Sequence, residues 1–96
     1  MGIDHVAINV QNISRSADWY VDTFDAIIDY QDETWAMLRV GDSKIALTLK
    51  GHHPPHIAIE VVDFSESDTI REHRDGSKYV YKSDPDGNIV ELIRYN

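Results

Sequence analysis

Ninety-six residues with 17 acidic against 9 basic side chains carry a net charge of −8, and cysteine is absent. That length suffices for one domain, near the lower end of what a single core stabilises; the charge opposes a phosphate-backbone partner, and the missing thiols exclude disulfides, thiolate metal sites and a cysteine nucleophile. No apolar run approaches the roughly 20 residues of a membrane span, and Met1-Gly2-Ile3-Asp4-His5 shows no leader, so a soluble, cytoplasmic protein with neither a membrane nor a nucleic-acid partner is expected.

The chain opens on an alternating stretch, residues 3–10, in which Val6, Ile8 and Val10 share one face and Ile3, His5, Ala7 and Asn9 the other. That period of two predicts a strand with its β-branched face towards a core. Ser14 is then suited to cap a helix, and Ile13, Ala17, Tyr20, Val21 and Phe24 follow at helical spacing, predicting a helix that lays one face on a sheet. Further strands are expected at about 26–31, 34–40 and 43–50, with turns at Gln31-Asp32-Glu33 and Gly41-Asp42. Module one, about 1–50, therefore reads βαβββ, and Gly51-His52-His53-Pro54-Pro55 forms a linker over 51–55.

Module two, about 56–96, repeats the pattern. His5-Val6-Ala7-Ile8-Asn9-Val10 matches His56-Ile57-Ala58-Ile59-Glu60-Val61 at an offset of 51, and Ile13-Ser14-Arg15-Ser16 matches Phe64-Ser65-Glu66-Ser67 in the same register. Internal duplication decides architecture ahead of local propensity. A strand over 56–62 and a short helix from Ser65 to about His73 follow, the helix weakly anchored by Phe64 and Ile70 but carrying a capping-box-like Ser65-x-x-Asp68. Two more strands, about 78–83 and 88–95, flank the turn Asp84-Pro85-Asp86-Gly87. Ile45-Ala46-Leu47 aligns with Val90-Glu91-Leu92 at an offset of only 45, so the second copy is shorter by about one strand. The fold class is α+β, with two βαβββ-like modules in a single domain over 1–96.

Strand alternation puts His5 and His56 on the face opposite the β-branched set, and Glu91 opposite Val90 and Leu92. Two neutral imidazoles and a carboxylate suit Fe(II) and also serve Mn, Zn or Ni. A lone strand histidine is more often a hydrogen-bonded structural residue than a ligand; recurrence at one position of two copies favours ligation. His52 and His53 read as exposed linker residues, and His73 as solvent-facing on the polar helix.

The start Ile3-Asp4-His5-Val6-Ala7-Ile8-Asn9-Val10, the helix with Trp19-Tyr20, the second start at His56, and Asp84-Pro85-Asp86-Gly87-Asn88-Ile89-Val90-Glu91-Leu92 resemble the vicinal oxygen chelate superfamily, which includes glyoxalases, fosfomycin- and bleomycin-resistance proteins and extradiol dioxygenases. The resemblance covers nearly the whole chain. It implies an open, curved mixed sheet whose concave face holds a divalent metal on His5, His56 and Glu91. It also implies a lyase, isomerase or transferase acting on a small oxygenated substrate that chelates the metal. An Fe(II) extradiol-type dioxygenase and a metal-free, antibiotic-sequestering binding protein are the alternatives. Glyoxalase-type members carry a fourth ligand where this chain has Ala46, which points to three protein ligands, with Thr48 able to assist only through water. Trp35, Met37 and Arg39 fall on the concave side, Arg39 as a partner for a substrate anion; Glu60 is the candidate general base; Tyr79 and Tyr81 are candidate pocket walls. The shortened second module and its exposed sheet edge suggest a homodimer.

Overall fold

The computed structural model describes residues 1–95, which form one helix and eight strands: β1 (Gly2–Val10), α1 (Ile13–Phe24), β2 (Ile27–Gln31), β3 (Trp35–Val40), β4 (Ser43–Leu49), β5 (His56–Glu60), β6 (Arg71–Glu72), β7 (Lys78–Ser83) and β8 (Ile89–Arg94). The strands pair in the order β2-β3-β4-β1 in one half of the chain and β5-β8-β7-β6 in the other. The pairing is mixed: β1 pairs with β4, and β5 with β8, in parallel, while β2–β3, β3–β4, β7–β8 and β6–β7 are antiparallel. The α+β class and the open mixed sheet are as expected. Backbone contacts divide the chain into two units, one of Met1–Asp4 with the chain from His56 onward, the other His5–Pro55. Among the described residues no helix is long and apolar enough to cross a membrane.

In the unit His5–Pro55, the alternation seen in the sequence becomes a two-layer core. Ile13 and Ala17 of α1 are buried with Ala26, Ala36, Leu38 and Leu47, and Ile8, Val10, Tyr20, Val21, Val40, Ile45 and Leu49 close around them. Leu38 and Leu47 are fully buried, and each contributes about 1.5–3 kcal/mol by leaving water. The helix is capped by Asn12 rather than Ser14: the Asn12 side chain accepts from the Arg15 backbone N–H at 2.8 Å. It stops where Asp25 turns left-handed at φ 57° and returns its N–H to the last turn. Phe24, expected on the buried face, is half exposed and packs its ring against Trp19 and Tyr20.

The second helix is absent. Residues 64–70 are irregular, with a turn only at Glu66-Ser67, and a two-residue strand, β6, precedes β7. Half of the capping box forms, with Asp68 accepting from the Ser65 N–H at 2.9 Å, but the Ser65 hydroxyl accepts from the Ser67 N–H and Asp68 also takes Lys82 at 2.6 Å. A helix needs several turns of buried apolar face to repay its nucleation, and this segment offers only Phe64 and Ile70. Phe64 instead lies beneath the Arg94 guanidinium, 5.5 Å from its ring centre. The β-branched face of β5 consequently stays partly open, with Ile57 44% exposed.

Candidate metal centre

Parallel register builds the site from the shorter module. Ala58 stands opposite Glu91, and on the other side of β8 so does Tyr81 of β7. All three share the face that carries His56. Glu91 is only 2% exposed, and His56 is buried beside it. A buried carboxylate is costly unless paired. Here His56 Nε2 lies 3.6 Å from Glu91 Oε1, and His73 Nε2 lies 2.9 Å from Oε2. Burial alone would raise the Glu91 pKa; the imidazoles of His56 and His73 outweigh it and hold the carboxyl down at about 2. Tyr81 meets the His56 ring edge-on at 5.6 Å, and burial, then the Glu91 carboxylate, pushes its phenol up to about 12.

His5 is buried on β1, on the Ala7 side of the strand as expected. Within the unit that begins at His56, His56 and Glu91 are two donors of metal-ligating type, and His5 is the third candidate. The donor set, two imidazoles and one ionised carboxylate, fits a divalent first-row ion. Ala46 stands opposite Ala7 just as Glu91 stands opposite Ala58, so the first module has a methyl group where the second has its carboxylate. Thr48 is buried and accepts from Asn9 Nδ2 at 2.8 Å.

Arg39 is exposed and donates through Nε to both oxygens of Asp29, at 2.8 and 3.0 Å. Glu60, four residues beyond His56 on the same face of β5, is exposed at the far end of the strand. Four residues of extended chain span about 13 Å, so Glu60 reaches chemistry at His56 only through a substrate of that length. Trp35 stacks on Tyr30 with ring centres 4.7 Å apart. His52 and His53 are exposed, as expected.

His73 is the residue whose place the sequence reading missed. It does not face solvent from a helix; it follows β6, stacks flat on Tyr79 at 3.7 Å and 9°, and bonds Glu91. Only the weakness of the second helix hinted at this.

Two related modules, each built on a parallel strand pair, define the class of fold. The chain belongs to the Glyoxalase/Bleomycin resistance protein/Dioxygenase superfamily, whose family model matches residues 2–92. No curated protein matches it in sequence. Among solved structures, it is similar to methylmalonyl-CoA epimerase from Mycobacterium tuberculosis (TM-score 0.70, 18% identity, 99% of this chain and 88% of that one). A Streptomyces coelicolor methylmalonyl-CoA epimerase variant in complex with 2-nitronate-propionyl-CoA aligns at TM-score 0.74 and 18% identity, covering 98% of this chain and 96% of that one. A superfamily member from Vibrio splendidus aligns at TM-score 0.72 and 15% identity, covering 94% and 95%. At these identities the likeness is one of fold.

Proposed function

We propose that this chain is a divalent-metal-dependent enzyme of the lyase, isomerase or transferase kind, acting on a small substrate with neighbouring oxygens, and that His5, His56 and Glu91 are its metal ligands. The observation that carries the proposal is Glu91: a carboxylate 2% exposed, kept ionised by imidazoles, at a position where the other module has alanine. A fold has no structural need for an anion there. When bound, the metal supplies Lewis acidity that stabilises negative charge developing on substrate oxygens.

The side chains around it have separate tasks. His56 presents a ring nitrogen towards Glu91 and is held edge-on by Tyr81. Tyr81, its phenol retained as O–H well above neutral pH, limits water at the carboxylate and is a hydrogen-bond donor for a substrate oxygen. Arg39 serves a substrate anion only by exchanging it for Asp29, and Glu60 serves as base only for an extended substrate. The epimerase relatives make acyl thioesters with an acidic carbon the first substrates to assay. A homodimer formed through the short edge strand β6 of the second module is checked by sedimentation equilibrium.

Metal analysis of protein purified without a chelating tag tests the proposal. Near-stoichiometric divalent metal is expected, lost in His5→Ala, His56→Ala and Glu91→Ala. A chain that carries no metal and takes up none of Mn(II), Fe(II), Zn(II) or Ni(II) overturns the enzyme reading in favour of a sequestering module.

A further inference from the structure

We propose that His73 is a positioning residue: it holds Glu91 by Oε2 and so fixes how the carboxylate is presented to a metal. This inference rests on the metal-binding reading above. Three observations carry it. The first is the bond itself: His73 Nε2 is at hydrogen-bond distance from Glu91 Oε2, at 2.9 Å. An ionised carboxylate only accepts, so His73 donates from Nε2–H, which makes it the Nε2-protonated tautomer when neutral.

The second observation is that the ring is fixed. It lies flat on Tyr79, centre to centre 3.7 Å, and only a third of the side chain meets solvent. Third, the backbone behind it is clamped. His73 N–H donates to the Ser77 carbonyl at 2.9 Å, Gly76 N–H returns to the His73 carbonyl at 3.0 Å, and Asp75 takes both the Ser77 N–H (2.8 Å) and its hydroxyl (2.6 Å). Gly76 closes this turn at φ 89°, a conformation that L side chains resist. The length removed from the second module thus brings a stapled turn, instead of a helix end, to the carboxylate. Hydrogen bonds to a ligand from outside the coordination sphere set its orientation and basicity, and losing one costs about 10–100-fold in metal affinity.

The test is titration of the metal-free full chain with cobalt(II) chloride, following affinity and the visible d–d spectrum, in the unaltered protein, His73→Gln and His73→Asn. The side-chain nitrogen of Gln overlays Nε2 and that of Asn overlays Nδ1, so only Gln reaches Oε2. His73→Asn is expected to bind cobalt about 10–100-fold more weakly with an altered spectrum, as the Glu91 carboxylate loses its fixed orientation, and His73→Gln to restore both. Equal affinity and spectra in all three proteins overturn the inference, as does equal loss in both variants, which makes the histidine itself a ligand or a structural residue. If the unaltered chain takes no cobalt, the metal-binding reading has failed instead, and His73 then serves only to pair a buried carboxylate; binding abolished by His56→Ala but indifferent to His73 leaves that reading standing and removes this one.

Discussion

The two parallel strand pairs, β1–β4 and β5–β8, are copies that have gone separate ways. In one, the row Ala7–Ala46–Met37 crosses neighbouring strands; in the other, the corresponding row is Ala58–Glu91–Tyr81. The apolar row belongs to the unit with α1 and the buried Leu38 and Leu47; the polar row belongs to the unit with no helix among its described residues and a face left partly open. The difference teaches that duplication allowed a division of labour. One copy keeps the amphipathic helix and supplies packing. The other gives up its helix and spends the position on an anion that only partners can justify.

The packing side of the comparison makes the largest prediction. Leu47 and Leu92 occupy corresponding positions, but Leu47 is fully buried beneath α1 and Leu92 is only partly buried. Leu47→Ala should cost about 2–5 kcal/mol of unfolding free energy, with a cavity left behind, and Leu92→Ala about 1–2 kcal/mol. Urea denaturation of both variants decides; equal losses would mean that the helix-less unit is packed as tightly as the other.

The chemical side is sharpened by Ala46→Glu, which writes the polar row into the apolar copy. Ala46 is 4% exposed. A carboxylate placed there should destabilise the metal-free protein by about 1–3 kcal/mol, and manganese(II) should offset part of that loss. A loss indifferent to manganese would show that the two rows are not equivalent. Tyr81 gives the pH arm. Its folded pKa, about 12, is raised above the ordinary 10, so its contribution is intact below the unfolded value and lost as pH rises through the folded one. In metal-free Glu91→Gln, ultraviolet phenolate titration should find Tyr81 ionising at lower pH, because one cause of the rise, the carboxylate, is gone; an unmoved titration would mean that burial alone holds it.

How far the sequence reveals all this depends on which signal each residue carries. The strands were readable because alternation is local, and the bounds of β3, β4, β7 and β8 lie within about one residue of those expected. The repeat singles out His56 and alternation along the last strand sets Glu91 on the same face; Ala58, two residues from His56, pairs with Glu91. His73 was not readable, for its role arises from a helix that fails to form. Its capping residues are present, but Asp68 is shared with Lys82 and the segment lacks the apolar stripe that would bury it. A cap motif is a local signal, whereas helix survival is decided by packing that the motif does not encode. The cap of α1 was misplaced by two residues for a related reason, since Asn12 and Ser14 both satisfy the pattern and only the chain's entry into the sheet chooses between them.

The smallest effect tests that last point directly by comparing two caps. Asn12 accepts from the Arg15 N–H and starts a helix whose buried face rewards every further turn, so Asn12→Ala should cost about 1 kcal/mol in thermal or urea unfolding. Ser65, the counterpart of Ser14, is the expected cap of the missing helix; its hydroxyl lies 3.1 Å from that of Ser67 at an exposed turn. Ser65→Ala should therefore stay within about 0.5 kcal/mol of the parent, as surface substitutions do. A Ser65→Ala loss equal to that of Asn12→Ala would show that residues 65–73 do fold as a helix in solution. It would also return His73 to the polar helix face and away from Glu91, so this small difference in stability bears on the site as much as on the fold.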